Sequence, residues 1–116
     1  MYMKKYIALY MAPISVLEQM MKNSKAEDRE KGMKAWSDWM EENKSSIVEM
    51  GAPLGKTKTV TADGITDTKN EVCGYTVVEA DSHDAAAKLF QSSPHLADMQ
   101  GATIDVLECM EMPAKE

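Results

Sequence analysis

Apolar residues recur at strand spacing in some segments of the chain and at helical spacing in others. The first such segment, Lys4–Met11, is rich in β-forming residues and is predicted to be a strand. Both of its faces are largely apolar: one carries Tyr6, Ala8 and Tyr10, and the other carries Ile7, Leu9 and Met11. Because such a strand needs cover on both sides, we expect it to lie in the middle of its sheet.

Helical spacing follows this strand. Two capping boxes, each a serine followed three residues later by a glutamate, predict helices that begin at Ser15 and Ser24. The second helix is predicted to run as far as Gly51, which can adopt the left-handed conformation that ends a helix, and Pro53 prevents its resumption. Its apolar positions at helical spacing are Met33, Trp36, Met40, Ile47 and Met50.

The second half of the chain alternates strand patterns with turn signals. Gly74–Ala80 has the strongest strand pattern, and Asp63-Gly64 is a strong turn signal. The remaining predicted elements are a strand over Lys56–Thr61, a short helix capped by Ser82 and running through Phe90, a break at Ser92-Ser93-Pro94, and a last strand over Ala102–Met110.

The predicted order of elements is β-α-β-β-α-β, which is the ferredoxin-like pattern of the α+β class. This pattern forms a four-stranded antiparallel sheet with its helices on one face. Since the strands carry apolar residues on both faces, the bare face needs cover, and two copies closing face to face in a twofold dimer would provide it. We therefore predict one domain over residues 1–116 that forms a homodimer.

The amino-acid composition argues against some classes of binding partner. The chain has 19 acidic and 13 basic residues and a net charge of −6, which argues against nucleic acid and anionic membranes as partners. No apolar run approaches the roughly 18–20 residues that span a bilayer, and Met1–Met11 is too short and too polar for a signal peptide, so a cytoplasmic location is expected. Cys73 and Cys109 are expected to be reduced, and the alternatives are a redox pair or metal ligands. Without a Cys-x-x-Cys motif a zinc site is poorly supported, and we predict no metal and no cofactor.

Six segments together resemble the YCII-related superfamily, in particular its DGPF-domain branch. They are Trp36–Trp39, Gly51–Gly55, Asp63–Lys69, Gly74–Ser82, Pro94–Leu96 and Gly101–Val106, within a similarity that runs from Lys4 to about Met112. The resemblance implies a dimeric α+β barrel, and some relatives are encoded beside or fused to extracytoplasmic-function sigma factors.

This sequence departs from the family pattern in two places. The signature Asp-Gly-Pro-Phe is replaced by Asp63-Gly64-Ile65-Thr66, and the N-terminal half holds no histidine. A histidine–aspartate pair has been suggested as an active site in the YCII branch. Because the N-terminal half offers no histidine, that pair is not carried over to this chain.

His95 is the strongest candidate for chemistry. It follows Pro94 before the last predicted strand, Asp98 lies three residues on, and an imidazole can act as acid or base near neutral pH. The alternative is a loop histidine that hydrogen-bonds backbone carbonyl groups. His83, just after the predicted Ser82 cap, is expected to be solvated.

Aromatic residues and one lysine are candidates for ligand binding. The phenols of Tyr6, Tyr10 and Tyr75 would point towards the inside of the sheet, and Trp36 and Trp39 could wall a cavity. Lys56 could offer a positive charge to an anionic ligand at the sheet edge. The alternatives are aromatic residues that only build the core and a lysine that is only solvated.

Three functions from different classes remain open. The first is a binding module, a homodimer that takes a small, mostly apolar molecule in or beside the barrel without converting it. The second is a small cofactor-free enzyme of the lyase, isomerase or oxygenase type with His95 as acid or base. The third is a regulatory partner protein linked to a sigma factor. Ample aromatic and methionine residues with few polar candidates favour the first.

Overall fold

Four antiparallel strands form the sheet around which the chain is organised, in an α+β arrangement. The computed structural model describes residues 3–23 and 26–111, apart from the side chains of residues 20, 21, 23, 26–28 and 98. The elements are β1 (Lys4–Met11), α1 (Ile14–Asn23), α2 (Ala26–Glu42), β2 (Ile47–Glu49), β3 (Thr57–Thr61), β4 (Gly64–Thr68), β5 (Val72–Ala80), α3 (His83–Leu89), a 3₁₀ helix (Phe90–Ser92), α4 (Pro94–Asp98) and β6 (Thr103–Glu108).

The strand order in the main sheet is β2-β5-β1-β6, and every neighbouring pair is antiparallel. The prediction that Lys4–Met11 lies in the middle of its sheet is confirmed, because β1 pairs with β5 on one side and β6 on the other. Ile7 lies opposite Val77 on β5 and opposite Leu107 on β6. These pairs fix which side chains share a face.

The two faces of the sheet differ in how well this chain covers them. On one face Tyr6, Ala8 and Tyr10 are buried with Val78 under the helices, where Trp39 and Phe90 complete the core. On the other face Ile7, Leu9 and Val77 are only half-buried, and Leu107 is 45% exposed. The described residues of one chain therefore leave an apolar strip, made by Ile7, Leu9, Val77 and Leu107, without a covering layer.

Helix α3 is attached to the sheet by its first turn. The Ser82 cap is confirmed, since the Ser82 hydroxyl accepts a hydrogen bond from the Ala85 N–H at 3.1 Å. His83 is exposed, as expected, but its ring also stacks on Tyr6 and its Nε2 donates to the Val106 carbonyl at 2.7 Å. This histidine joins α3 to β1 and β6.

The predicted start of the first helix is wrong by one residue. Helix α1 begins at Ile14, because the Pro13 carbonyl accepts from the N–H groups of Val16 and Leu17 and so closes the first turn. Ser15 therefore lies inside the helix and is not its cap. The second predicted capping box falls on residues 24 and 25, which lie outside the described residues.

The predicted end of the second helix is also wrong. Helix α2 ends at Glu42, and residues 47–49 form strand β2. The side-chain amide and the backbone N–H of Asn43 both donate to the Trp39 carbonyl, which closes the helix. The β-branched pair Ile47-Val48 then favours an extended chain, and β2 pairs with the edge of β5. Tertiary pairing thus prevails over the helical spacing of Ile47 and Met50.

The predicted strand over Lys56–Thr61 forms, as β3, but outside the main sheet, so its placement as a sheet strand is wrong. Its only partner among the described strands is β4, and the turn predicted at Asp63-Gly64 joins the two. Residues 52–54 run alongside the start of β5 instead, through the bridge of Pro53 to Gly74 and the hydrogen bond from Leu54 N–H to the Cys73 carbonyl. The hairpin consequently projects with Val60 and Ile65 exposed.

Gly51 lies at this crossing with φ of 78°, and a Cβ atom there would overlap the Tyr75 carbonyl oxygen. We expect Gly51→Ala to lower the free energy of unfolding by about 2–4 kcal/mol, because backbone strain and steric overlap add. Urea unfolding measures the change.

Gly32→Ala is the matched control. Gly32 lies inside α2, and a Cβ atom there would meet no described atom within 4 Å beyond the backbone of its own helix. The same substitution is therefore expected to raise the free energy of unfolding by about 0.5–1 kcal/mol. Equal effects at both glycines would contradict the assigned role of Gly51.

Candidate functional site

A cleft of about 960 Å³ lies between helix α2 and the edge of the sheet formed by β2 and β5. Its walls are mostly apolar, and Trp36 and four methionines contribute to them: Met33, Met40, Met50 and Met99. The side chains of Met33 and Met50 are 70% and 63% exposed, so they can move to admit a molecule. The cleft combines a hydrophobic lining with adaptable walls.

What we call the cleft floor is the set of polar lining residues that are buried, Tyr10, Thr76 and His95, together with the half-buried thiol Cys73. The Tyr10 hydroxyl lies 2.6 Å from Thr76 Oγ1, and Thr76 Oγ1 donates to the Met50 carbonyl at 3.0 Å. A threonine hydroxyl has one hydrogen, and here it goes to Met50. Tyr10 is therefore the donor to Thr76.

The Tyr10 ring lies among other aromatic rings. Its centroid is 5.0 Å from that of Trp36, in an edge-on arrangement, and 5.3 Å from that of His95. Burial raises the pKa of Tyr10 to about 12. The phenol is therefore neutral at physiological pH.

His95 reaches the floor from α4, a short helix that the sequence analysis did not predict. Pro94 occupies its first turn, and the Ser93 hydroxyl accepts from the His95 N–H at 3.3 Å. The ring is 5% exposed, and its Nε2 donates to the Met11 carbonyl at 2.8 Å. The side chain of Asp98, proposed as its companion, lies outside the described residues.

The bond to Met11 fixes the tautomer of His95. A carbonyl oxygen only accepts, so Nε2 carries the hydrogen and, in the neutral ring, Nδ1 carries the lone pair. Within the described residues nothing hydrogen-bonds Nδ1, and no described side-chain nitrogen or oxygen is both enclosed and unpaired. Nδ1 is accordingly an acceptor on a residue that lines the cleft.

Cys73 completes the floor as a free thiol. Its Sγ–H donates to the Tyr10 carbonyl at 3.3 Å, and burial raises the pKa of the thiol. Desolvation therefore keeps it protonated and poorly nucleophilic. Cys109 is also free and is exposed, away from the cleft.

Charged groups are confined to the exposed edge of the cleft, which we call the rim. Lys44 Nζ lies 2.9 Å from Glu41 Oε1, with both side chains about three-quarters exposed. Tyr75 donates to Glu49 Oε1 at 2.6 Å, and this carboxylate raises the pKa of the Tyr75 phenol. At the rim, Lys44 and Glu41 thus pair with each other, and Glu49 is bonded to Tyr75.

The candidate ligand-binding residues divide into two groups. Tyr10, Trp36 and Tyr75 line the cleft together with His95. Tyr6 and Trp39 are buried in the core, where Trp39 Nε1 donates to the Ser92 hydroxyl, and Lys56 is exposed; none of the three lines the cleft.

The sequence analysis missed Thr76, Cys73 and Met50 as site residues. Thr76 could have been found as the one hydroxyl on the face of β5 that otherwise carries Val78 and Ala80, because a polar residue on a buried face needs a partner. The identity of that partner, 66 residues away in sequence, depends on strand register.

Two further observations on the described residues concern metal binding and membrane-spanning helices. In the described residues no group of three histidine, cysteine, aspartate or glutamate side chains is close enough to hold a metal ion. No helix in the described part of the chain is long and apolar enough to cross a bilayer.

Comparison with models of known protein families and with curated proteins gave no match.

The pKa of Tyr10 predicts a pH dependence of stability. Below pH 10 the phenol is protonated in both states, so this group contributes no pH dependence. Between pH 10 and about 12 the unfolded chain loses the proton and the folded chain keeps it, so the free energy of unfolding falls by up to about 1.4 kcal/mol per pH unit.

Urea unfolding at pH 9 and pH 11 for the wild type and Tyr10→Phe measures this contribution. The fall between the two pH values is expected to be smaller in the phenylalanine variant, which cannot ionise at this position. The same fall in both proteins would contradict the burial of the phenol.

Proposed function

We propose that this protein is a homodimer that binds a small, mostly apolar molecule in the cleft between α2 and the β2–β5 edge. The observation that carries the proposal is the cleft itself: about 960 Å³, walled by Trp36 and methionines, with a few hydrogen-bonding groups gathered at its floor. Pockets for small molecules are usually of this size and have this composition. The sparse polar groups would orient the ligand, and the apolar walls would supply most of its affinity.

The dimer is supported by the uncovered sheet face. Ile7 with its neighbours Val77 and Leu107 makes an apolar row across three strands, of a kind that is usually covered by another layer. A second copy packed on this face would bury the strip twice, once from each protomer.

The strand order also supports the ferredoxin-like assignment. When the four strands of the main sheet are numbered along the chain, they lie in the order second, third, first, fourth, with β3 and β4 inserted as a hairpin. We propose on this basis, and on the segments that resemble it, that the chain is a YCII-like dimeric α+β barrel.

A second candidate function is acid–base catalysis by His95. The observation that favours it is the bond from Nε2 to the Met11 carbonyl, which holds the ring against the cleft and leaves Nδ1 as a base. The bond to Met11 is equally consistent with a ring whose Nδ1 accepts a hydrogen bond from a bound ligand and takes no part in catalysis. We rank binding first because the described floor offers no second group with the properties of a catalytic acid, since Tyr10 and Cys73 both commit their hydrogens to the protein.

Ligand binding is tested with naphthalene-sized probes by calorimetry. Trp36→Leu is expected to weaken binding at least tenfold, because it removes an aromatic wall of the cleft. Val60→Leu, on the exposed hairpin, is the control and should leave affinity unchanged. Absence of binding by the wild type would overturn the proposal.

Mass spectrometry of the probe after incubation separates the two functions, since an altered probe would favour catalysis and an unaltered one binding.

The dimer is tested by one leucine pair. Leu107→Asp introduces a charge into the uncovered strip and is expected to convert dimer to monomer, as measured by analytical ultracentrifugation. Leu96→Asp, on helix α4 and 39% exposed, is the matched control and should leave the dimer intact. A wild-type monomer, or a dimer unaffected by Leu107→Asp, would contradict the proposed interface.

A further inference from the structure

The four polar side chains of the cleft floor share one property: each gives its hydrogen to another part of the protein. Tyr10 donates to Thr76, Thr76 donates to the Met50 carbonyl, Cys73 donates to the Tyr10 carbonyl, and His95 donates to the Met11 carbonyl. At Tyr10, Cys73 and His95 what remains for a ligand is a lone pair, whereas Thr76 is fully buried.

The direction of the first two bonds follows from the backbone. The Met50 carbonyl has no hydrogen to give, so Thr76 must donate to it, and Thr76 can then only accept from Tyr10. Burial raises the pKa of Tyr10 to about 12, so the phenol keeps the hydrogen that this bond requires. Tyr10 Oη can therefore only accept a further hydrogen bond.

The same reasoning applies to the other two floor residues. Both Cys73 and His95 bond backbone carbonyl oxygens, which fixes them as donors at Sγ and Nε2. In the neutral imidazole the second nitrogen, Nδ1, accepts. The strongest acceptors at the floor are thus Tyr10 Oη and His95 Nδ1, and their rings lie 5.3 Å apart.

We infer that the cleft selects an apolar molecule that presents an O–H or N–H donor to the floor, such as a phenol or an alcohol, and rejects carboxylates. The inference rests on the proposed binding function and names its ligand class. A donor satisfies one of the two acceptors, whereas an anion that reaches the floor would meet only the lone pairs of its side chains. The rim cation Lys44 does not reverse this preference, because it is exposed and paired with Glu41.

Three probes of one shape test the inference: 1-naphthol, 1-methoxynaphthalene and 1-naphthoate, titrated by calorimetry at pH 8. We expect 1-naphthol to bind at least tenfold more tightly than the ether, because a site built to accept a hydrogen bond penalises an analogue without the donor. We expect 1-naphthoate to bind most weakly.

The outcomes separate the two proposals. Equal affinities for 1-naphthol and the ether, both reduced by Trp36→Leu, would overturn the donor inference and leave the binding function standing. Tightest binding of 1-naphthoate would also overturn the donor inference alone. Failure of all three probes to bind would overturn both proposals.

Two substitutions locate the effect at Tyr10. Thr76→Val removes the acceptor of the Tyr10 hydrogen and frees it for the ether oxygen, so the preference for 1-naphthol is expected to fall at least threefold. Thr68→Val, on the exposed hairpin strand β4, is the matched control and should leave the preference unchanged.

Tyr10→Phe gives an independent reading if the valine variant does not fold. It removes the Tyr10 acceptor while Thr76 keeps its bond to Met50, and the preference is again expected to fall. A full preference retained in either folded variant would overturn the role assigned to Tyr10.

Discussion

The buried hydrogen-bond chain from Tyr10 through Thr76 to the Met50 carbonyl is the constraint on which the rest of the site depends. It joins the central strand β1 to β5 and then to Met50, the residue that follows β2, so two hydrogen bonds link these three segments. Thr76 is fully buried and Tyr10 nearly so, and each would be costly without its partner. These two hydrogen bonds thus hold the edge of the sheet where the cleft forms. They also determine which hydrogen-bonding groups the cleft can offer.

The two faces of the sheet differ in what covers them. The face under the helices is closed by Tyr6, Val78 and Phe90 and needs nothing further. The opposite face ends in side chains such as Leu107 that are neither polar nor buried. The cleft lies beside this layered arrangement rather than within the core, because α2 stops at Glu42 and leaves the space over β2 and β5 open. The early end of α2 is therefore what creates the site.

Local signals allowed much of the fold to be predicted from the sequence, and long-range pairing accounts for the errors. The strand Lys4–Met11, the Ser82 cap and the Asp63-Gly64 turn depend on neighbouring residues, and the structure has all three. Residues 47–49 fit a helical pattern locally but gain more by pairing with β5. Within the site, Tyr10, Trp36 and His95 could be predicted by residue type. The bonds of Thr76 to Tyr10 and to the Met50 carbonyl could not be predicted, because each joins residues 26 or more apart in sequence.

The measurement that tests this account most directly is neutron diffraction from crystals of the deuterium-exchanged protein. The account predicts deuterium on Tyr10 Oη directed at Thr76 Oγ1, deuterium on Thr76 Oγ1 directed at the Met50 carbonyl, and deuterium on His95 Nε2 with none on Nδ1 at pH 8. A Tyr10 deuterium directed into the cleft, with Thr76 donating to Tyr10, would contradict it. The floor would then offer a donor, and the inferred preference for ligands that present an O–H or N–H group would fail.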